Sequence, residues 1–275
     1  MGGLAQTRPD SLPGVAIADE FDGFLVDLDG VVWVGREPVP GSAEALRKLL
    51  GAGKEIVFVT NNPGRPPATY AERLREAGVP VADDRVVTAG VVTARLAAER
   101  AGTGATAFAI GAPAFHETAA AAGLALLEGE AGHGADAVLV SGHRGFDYEE
   151  LLTATLALQR GAALFATSRD PTLPMPGGAW PGTGSILAAV ETASGARAEI
   201  GGKPEHHLFD QARELIGGAE RVAMVGDRIA SDIEGGRRAG LETILVLSGA
   251  CSRSEAEAAN PGPDRVLDDL AGLLR

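Results

Sequence analysis

The chain has 275 residues, 45% of them apolar, and its 24 Lys+Arg against 37 Asp+Glu leave a formal net charge of −13 and a pI near 4.8. So much apolar content excludes wholesale disorder, and at roughly 100–200 residues per domain it implies one large or two modest domains. Nucleic-acid backbones and anionic membranes are excluded as partners because both need clustered Lys/Arg, and no stretch approaches the ~20 apolar residues of a membrane helix.

Cys251 is the single cysteine, so neither an internal disulfide nor a cysteine zinc site is available and a reducing cytoplasm is expected. Residues 1–18 mix Gly, Pro, Ser and Asp without the charged-then-apolar order of a secretion signal, and are read as a flexible lead-in. From there, short apolar runs end abruptly in polar residues. Phe24 to Val26 ends in Asp27, residues 55–59 end in Thr60-Asn61-Asn62, 221–225 end in Gly226-Asp227, and 243–247 end in Ser248-Gly249. That is the pattern of buried parallel strands reaching the edge of a sheet. Helices are predicted between them over 41–52 with Ser42 as cap, 67–77, 205–216 and 231–239, giving an α/β fold with a doubly wound parallel sheet. The middle of the chain has its own rhythm, with strands over 105–110, 137–141 and 163–167 and helices over 113–122 and 148–160. These divide the chain into a core of residues 19–102 and 199–275 and an inserted α/β unit over 103–198.

In such sheets ligands sit beyond the carboxyl ends of the strands, so the chemistry is sought in the residues just after each run. Asp27-Leu28-Asp29-Gly30 offers two carboxylates, one able to attack and the other to move a proton, and Gly30 lets the chain leave strand geometry. Gly226-Asp227 and Asp232 add hard oxygen ligands suited to Mg²⁺, although Asp232 would also serve a helix start without any ligand. Thr60 and Asn61 offer a hydroxyl and amide donors for phosphate oxygens, and Lys203, set between Gly201-Gly202 and Pro204, is a cation held in a fixed place.

Taken in order, Asp-x-Asp-Gly, Thr-Asn-Asn, Gly-Lys-Pro and Gly-Asp-x-x-x-x-Asp resemble the haloacid dehalogenase (HAD) superfamily. Between these motifs, 33 residues separate Asp27 from Thr60 and 24 separate Lys203 from Asp227, but 143 separate Thr60 from Lys203. A cap fills that gap, and with Asp-Gly-Val-Val-Trp, Ala-Thr-Ser-Arg-Asp and Pro-Gly-Thr-Gly-Ser the chain is similar to subclass IIA, which includes 4-nitrophenyl, phosphoglycolate, glycerol-phosphate, pyridoxal and nucleotide phosphatases. The resemblance implies a Rossmann-like HAD core with the cap inserted, and a Mg²⁺-dependent phosphatase of small phosphorylated metabolites. It implies Asp27 as nucleophile, Asp29 as acid and base, and Mg²⁺ on the Asp27 carboxylate, the Asp29 carbonyl and Asp227. Thr60, Asn61 and Lys203 would grip the phosphoryl oxygens, with Asp232 supporting the metal's waters or Lys203 from behind.

Two segments depart from the subclass pattern: Ile229-Ala230-Ser231 within the last motif, and Gly142-His143-Arg144-Gly145-Phe146, one residue shorter than usual. His143, Arg144 and Asp170 follow cap strands and are candidates for reading the leaving group. Trp33 could line the entrance or pack a flap, while Trp180 and Cys251 are read as structural. Adjacent His206 and His207 should face different ways on the surface, and Gly182-x-Gly184 lacks the surroundings of a dinucleotide site. Glycerol-phosphate or phosphoglycolate-like esters are slightly favoured over sugar phosphates, nucleotides and pyridoxal phosphate. Two rivals keep the same site: a phosphate sensor without turnover, and transfer to an acceptor other than water. The apolar cap helices could support a homodimer.

Overall fold

The computed structural model describes residues 16–102, 104–175 and 178–275. Most of the expected lead-in over 1–18 therefore lies outside the described residues. Its last residues do not: Ile17–Glu20 forms a 3-10 turn, and Ala18 is buried with Phe21 against the core.

Six parallel strands form the first sheet, in the order Arg265–Leu267, Glu242–Val246, Val222–Gly226, Gly23–Asp27, Glu55–Thr60, Val86–Thr88. The sheet is buried on both faces, and the period of two assigns each side chain to one of them. Phe24, Val26, Phe58 and Val225 pack on one face, whereas Leu25, Val57, Val59 and Met224 pack on the other. Starting at the central strand Gly23–Asp27, the chain moves outward on one side through Glu55–Thr60 and Val86–Thr88. It returns on the other side through Val222–Gly226. A switch in strand order therefore falls at the carboxyl ends of Gly23–Asp27 and Val222–Gly226, where a crevice opens.

A second parallel sheet runs Glu199–Ile200, Ala163–Ala166, Ala137–Val140, Thr106–Ile110, Ala125–Leu126. Helix Ala89–Ala101 joins the two units. Val92 packs into the first sheet's cluster, while Ala94, Leu96 and Ala97 pack against Ala107, Ala137 and Phe165 of the second. A small antiparallel hairpin, Thr172–Met175 with Gly178–Pro181, projects from the second unit, and Trp33–Val34 with Glu37–Pro38 forms another beside the first.

Most expected helices lie within a residue or two of their predicted ends, but two differ in kind. Helix Ser42–Gly51 is not capped by Ser42: Gly41, at φ 83°, precedes it, and the Ser42 hydroxyl donates instead to the Val31 carbonyl at 2.8 Å. The helix expected over 231–239 opens as a π-helical turn, Ile229–Ile233, before Glu234–Arg238. Among the described residues no helix is long and apolar enough to cross a membrane.

Candidate active site

Asp27 ends the central strand and Asp227 follows the neighbouring one, so the switch in strand order brings them together. Lys203 lies between Asp27 and Asp232, donating at 2.6 Å to an oxygen of each. All four side chains are buried, Lys203 to within 2% of full burial. The second Asp232 oxygen accepts from the Arg228 N–H at 3.0 Å. The π turn, a common departure at functional sites, carries Asp232 to this position.

Ligand atoms of Asp27, Asp227 and Asp232 lie within 4.8 Å of one another. Three carboxylates against one ammonium leave a formal charge of −2, which buried groups cannot sustain uncompensated. Burial, reinforced by Asp232, pushes the Asp227 carboxyl up to about 7. Burial also lifts Asp27 well above the usual carboxylate range, against the pull of Lys203 and with the help of Asp232, Asp227 and Asp29. For Lys203 burial acts downward, but Asp232 and Asp27 more than reverse it and keep the ammonium charged. One Asp227 oxygen accepts from the Ala250 N–H at 2.7 Å, and the other is buried with no partner. An orphaned carboxylate oxygen beside a −2 cluster of hard donors fits Mg²⁺ in both charge and chemistry.

Gly30 makes this approach feasible. Its φ is +91°, and a Cβ there would lie 2.2 Å from an Asp227 oxygen. Gly30→Ala should displace Asp227, lowering Mg²⁺ affinity at least about tenfold in a calorimetric titration and costing about 1–2 kcal/mol in a melt from backbone strain alone. Wild-type affinity in that variant would separate Gly30 from the cation site.

Asp29 is held differently. Its carboxylate accepts from the Trp33 indole N–H at 3.1 Å, the Thr60 hydroxyl at 3.3 Å and the Asn62 amide at 3.4 Å. It does not join the three-carboxylate cluster. The Asn61 side chain donates to Asp170 and to the Lys203 carbonyl, both at 2.9 Å, and accepts from the Lys203 N–H at 2.8 Å. Both side-chain amide hydrogens are thus committed to fixing Lys203 and tying Asp170 to the core.

A cavity of about 700 Å³ opens from Asp27, Asp29, Thr60 and Lys203 toward the second unit, where His143, Arg144, Asp170 and Trp180 line it. His143 pairs with Glu150 at 2.9 Å, and the Arg144 guanidinium stands 4.9 Å over the Trp180 ring. Trp180, expected to be structural, is 37% exposed and belongs to the cavity wall. Spacing could not reveal this, because the tryptophan arrives on the Gly178–Pro181 strand of a hairpin that the sequence did not suggest. The loop carrying Asp170 is fixed by a two-pronged Arg169–Glu191 pair at 2.9 and 3.0 Å. Those bonds pull Glu191 down to about 2, against its burial. Gly184 packs under that loop, since a Cβ there would sit 2.2 Å from the Arg169 carbonyl; the Gly-x-Gly serves close packing. His206 and His207 do not diverge as expected. Their ring centroids lie 4.0 Å apart, with His206 paired to Asp210 and His207 to Glu199.

Residues 24–125 match the haloacid dehalogenase-like hydrolase profile and residues 200–273 the HAD-hydrolase-like profile. The chain is 37% identical to the glycerol-3-phosphate phosphatase of Gallus gallus, covering 99% of this chain and 97% of that protein. Its fold is similar to the crystal structure of a glycerol phosphate phosphatase from Mycobacterium tuberculosis in complex with magnesium, with a TM-score of 0.87, 35% identity, and 95% and 78% of the two chains covered. A 4-nitrophenylphosphatase from Thermotoga maritima superposes with a TM-score of 0.85 at 35% identity, over 94% and 98%. An Asp-x-Asp strand end, a buried lysine and a carboxylate cluster at one crevice, with similarity that runs the length of the chain, place this protein in the haloacid dehalogenase-like hydrolase family.

Proposed function

We propose that the protein is a Mg²⁺-dependent phosphatase of subclass IIA that hydrolyses small phosphomonoesters through an aspartyl-phosphate on Asp27. The observation that carries this reading is the cavity itself, which has Asp27, Asp29 and Lys203 at one end and second-unit side chains at the other. A bare sensor would need no second carboxylate held apart from the first, as Asp29 is.

Asp227 and Asp27, with the Asp29 carbonyl, would hold the cation, which supplies charge neutralisation at the transferring phosphoryl group. Lys203 then grips a phosphoryl oxygen, and the Thr60 hydroxyl, which donates to Asp29 at 3.3 Å in the free protein, turns to another. Asn61 serves by holding Lys203 in place. An Asp27 oxygen attacks phosphorus as the ester P–O bond breaks, and Asp29 gives its proton to the departing oxygen. Asp29, now ionised, takes a proton from the water that cleaves the acyl-phosphate. Residues of the second unit act as a cap that excludes water until the aspartyl-phosphate has formed. Because Glu199–Ile200 pairs with Ala163–Ala166, the cap is best taken as running to residue 200 rather than 198. A reducing, cytoplasmic setting suits the single buried thiol, Cys251.

Glycerol phosphate leads the substrate list, on the strength of the relatives above and of Arg144 and His143, which offer polar contacts to a hydroxylated leaving group. The exposed Trp180 face and Phe146 favour a second reading, an ester with a flat ring such as a nucleotide or pyridoxal phosphate. Phosphate release with Mg²⁺ from a panel of these esters, ranked by kcat/KM, decides between them. No release from any ester would favour the sensor. Arg144→Ala should change the ranking by about 3–10-fold, as loss of one cation–π or polar contact would. An unchanged ranking would remove Arg144 from the substrate's path.

A further inference from the structure

Trp33 sits in the short hairpin just after the nucleophile strand and is 2% exposed. Its backbone is tied to that strand's end: the Gly30 N–H donates to the Trp33 carbonyl at 2.7 Å, and the Trp33 N–H donates to the Leu28 carbonyl at 3.2 Å. The indole is gripped from a second element. Helix Pro67–Glu76 presents Tyr70 and Arg73, three residues apart and hence on one face. The Tyr70 ring stacks within 10° of parallel at 6.4 Å, and the Arg73 guanidinium stands 3.9 Å over the indole. Arg73 also donates to the Gly35 carbonyl at 3.0 Å, and the Tyr70 hydroxyl to the Asn62 carbonyl at 3.0 Å. What this clamp holds still is an N–H aimed at Asp29, the shortest of that carboxylate's three hydrogen bonds.

Packing alone does not require an indole here, because a phenyl ring would fill much of the same space and keep both stacking partners. The indole adds a fixed donor. All three donors to Asp29 are neutral, so they orient the carboxyl without adding charge.

We propose that Trp33, clamped by Arg73 and Tyr70, is the positioning residue that aims Asp29 at the leaving oxygen, and thereby sets how well the enzyme cleaves esters of poor leaving groups. This rests on the reading of Asp29 as the acid. In that step an Asp27 oxygen bonds to phosphorus, the P–O ester bond breaks with its electron pair going to the ester oxygen, and that oxygen takes the Asp29 proton to leave as an alcohol. A 4-nitrophenolate is a weak enough base to leave without the proton, whereas an alkoxide is not. Misplacing Asp29 therefore penalises alkyl esters selectively, and a purely structural defect would penalise both alike.

The test is kcat/KM of the Mg²⁺-loaded enzyme for an alkyl phosphate, glycerol 3-phosphate or the best alkyl ester of the panel, and for 4-nitrophenyl phosphate. Trp33→Phe should lose about 10–100-fold on the alkyl ester, part of the usual worth of general acid catalysis, and less than about 3-fold on the aryl ester. Arg73→Gln, which removes the cation over the ring, should show the same selectivity at about 3–10-fold, and it decides alone should Trp33→Phe not fold. Equal losses on both esters, or none on either, would overturn the proposal. Asp29→Asn run alongside separates the two ideas. If it loses alkyl activity selectively while the other variants do not, positioning by Trp33 fails and the acid stands. If Asp29→Asn itself lacks that selectivity, the assignment of Asp29 fails.

Discussion

Asp27→Asn should lower phosphate release from every ester by about 10⁴-fold or more while the fold persists, as expected when a nucleophile acts within a cooperating set. The amide is nearly isosteric and its oxygen can still accept the Lys203 hydrogen bond now made to Asp27 at 2.6 Å. What it lacks is the anionic oxygen that bonds to phosphorus. Burial already resists the ionised form of Asp27, so a neutral group there relieves one cost while depriving Lys203 of one of its two counter-charges. These effects oppose each other, so the melting temperature should stay near that of the parent enzyme. The circular dichroism spectrum should be unchanged, and Mg²⁺ should bind more weakly as the cluster's formal charge falls from −2 to −1. Retained turnover would move the nucleophile elsewhere, and a collapsed spectrum would make Asp27 a structural ion-pair partner first.

Asp27 was legible because a buried apolar run that stops at an acid places a charge where a sheet meets a crevice, and Asp227 repeated the signal on a second strand. That both strands lie in one parallel sheet followed from the βαβ pattern, but that they are neighbours, with an inserted unit between them in sequence, did not. Other features left little trace in the sequence. Helix Ala89–Ala101 contains Gly90 and the β-branched Val91, Val92 and Thr93, all poor helix formers, and it follows Val86–Thr88 without a break. It forms because Val92, Ala94, Leu96 and Ala97 find burial against both sheets, a tertiary gain invisible to local propensity. In the hairpin of Thr172–Met175 and Gly178–Pro181, Pro174 and Pro181 argue against strands, but an isolated two-stranded ribbon has free edges where proline removes no needed bond. Asn61 shows a further limit. Residue type suggested a phosphate donor, but spacing could not show that its side chain also ties Lys203 and Asp170, which lie 142 and 109 residues away. Likewise the indole of Trp33 could be placed near the site by sequence but not aimed at Asp29.

Removing Mg²⁺ should abolish turnover and also change how stability depends on pH, which tests the cation site without any substrate. In the metal-free protein the Asp227 carboxyl is lifted to about 7 from an ordinary 3.8. Between those values the folded state holds a proton that the unfolded state has released, so metal-free stability falls as pH rises through this window and the full penalty is present above about 7. The burial that raises Asp27 acts in the same direction. Mg²⁺ takes the place of the proton, so its stabilising effect should be small at pH 5.5 and should grow to pH 8. At about 100 times its Kd, the cation should raise the melting temperature on the order of 5–10 °C at pH 8. Metal-stripped and Mg²⁺-loaded samples melted across pH 5–8 give the difference directly, with other titrations cancelling. Asp227→Asn should shrink that difference to the share left by Asp27, because an amide has no proton to exchange for the metal. A Mg²⁺ effect independent of pH would mean that the cation binds away from Asp227, and the orphaned oxygen there would need another partner.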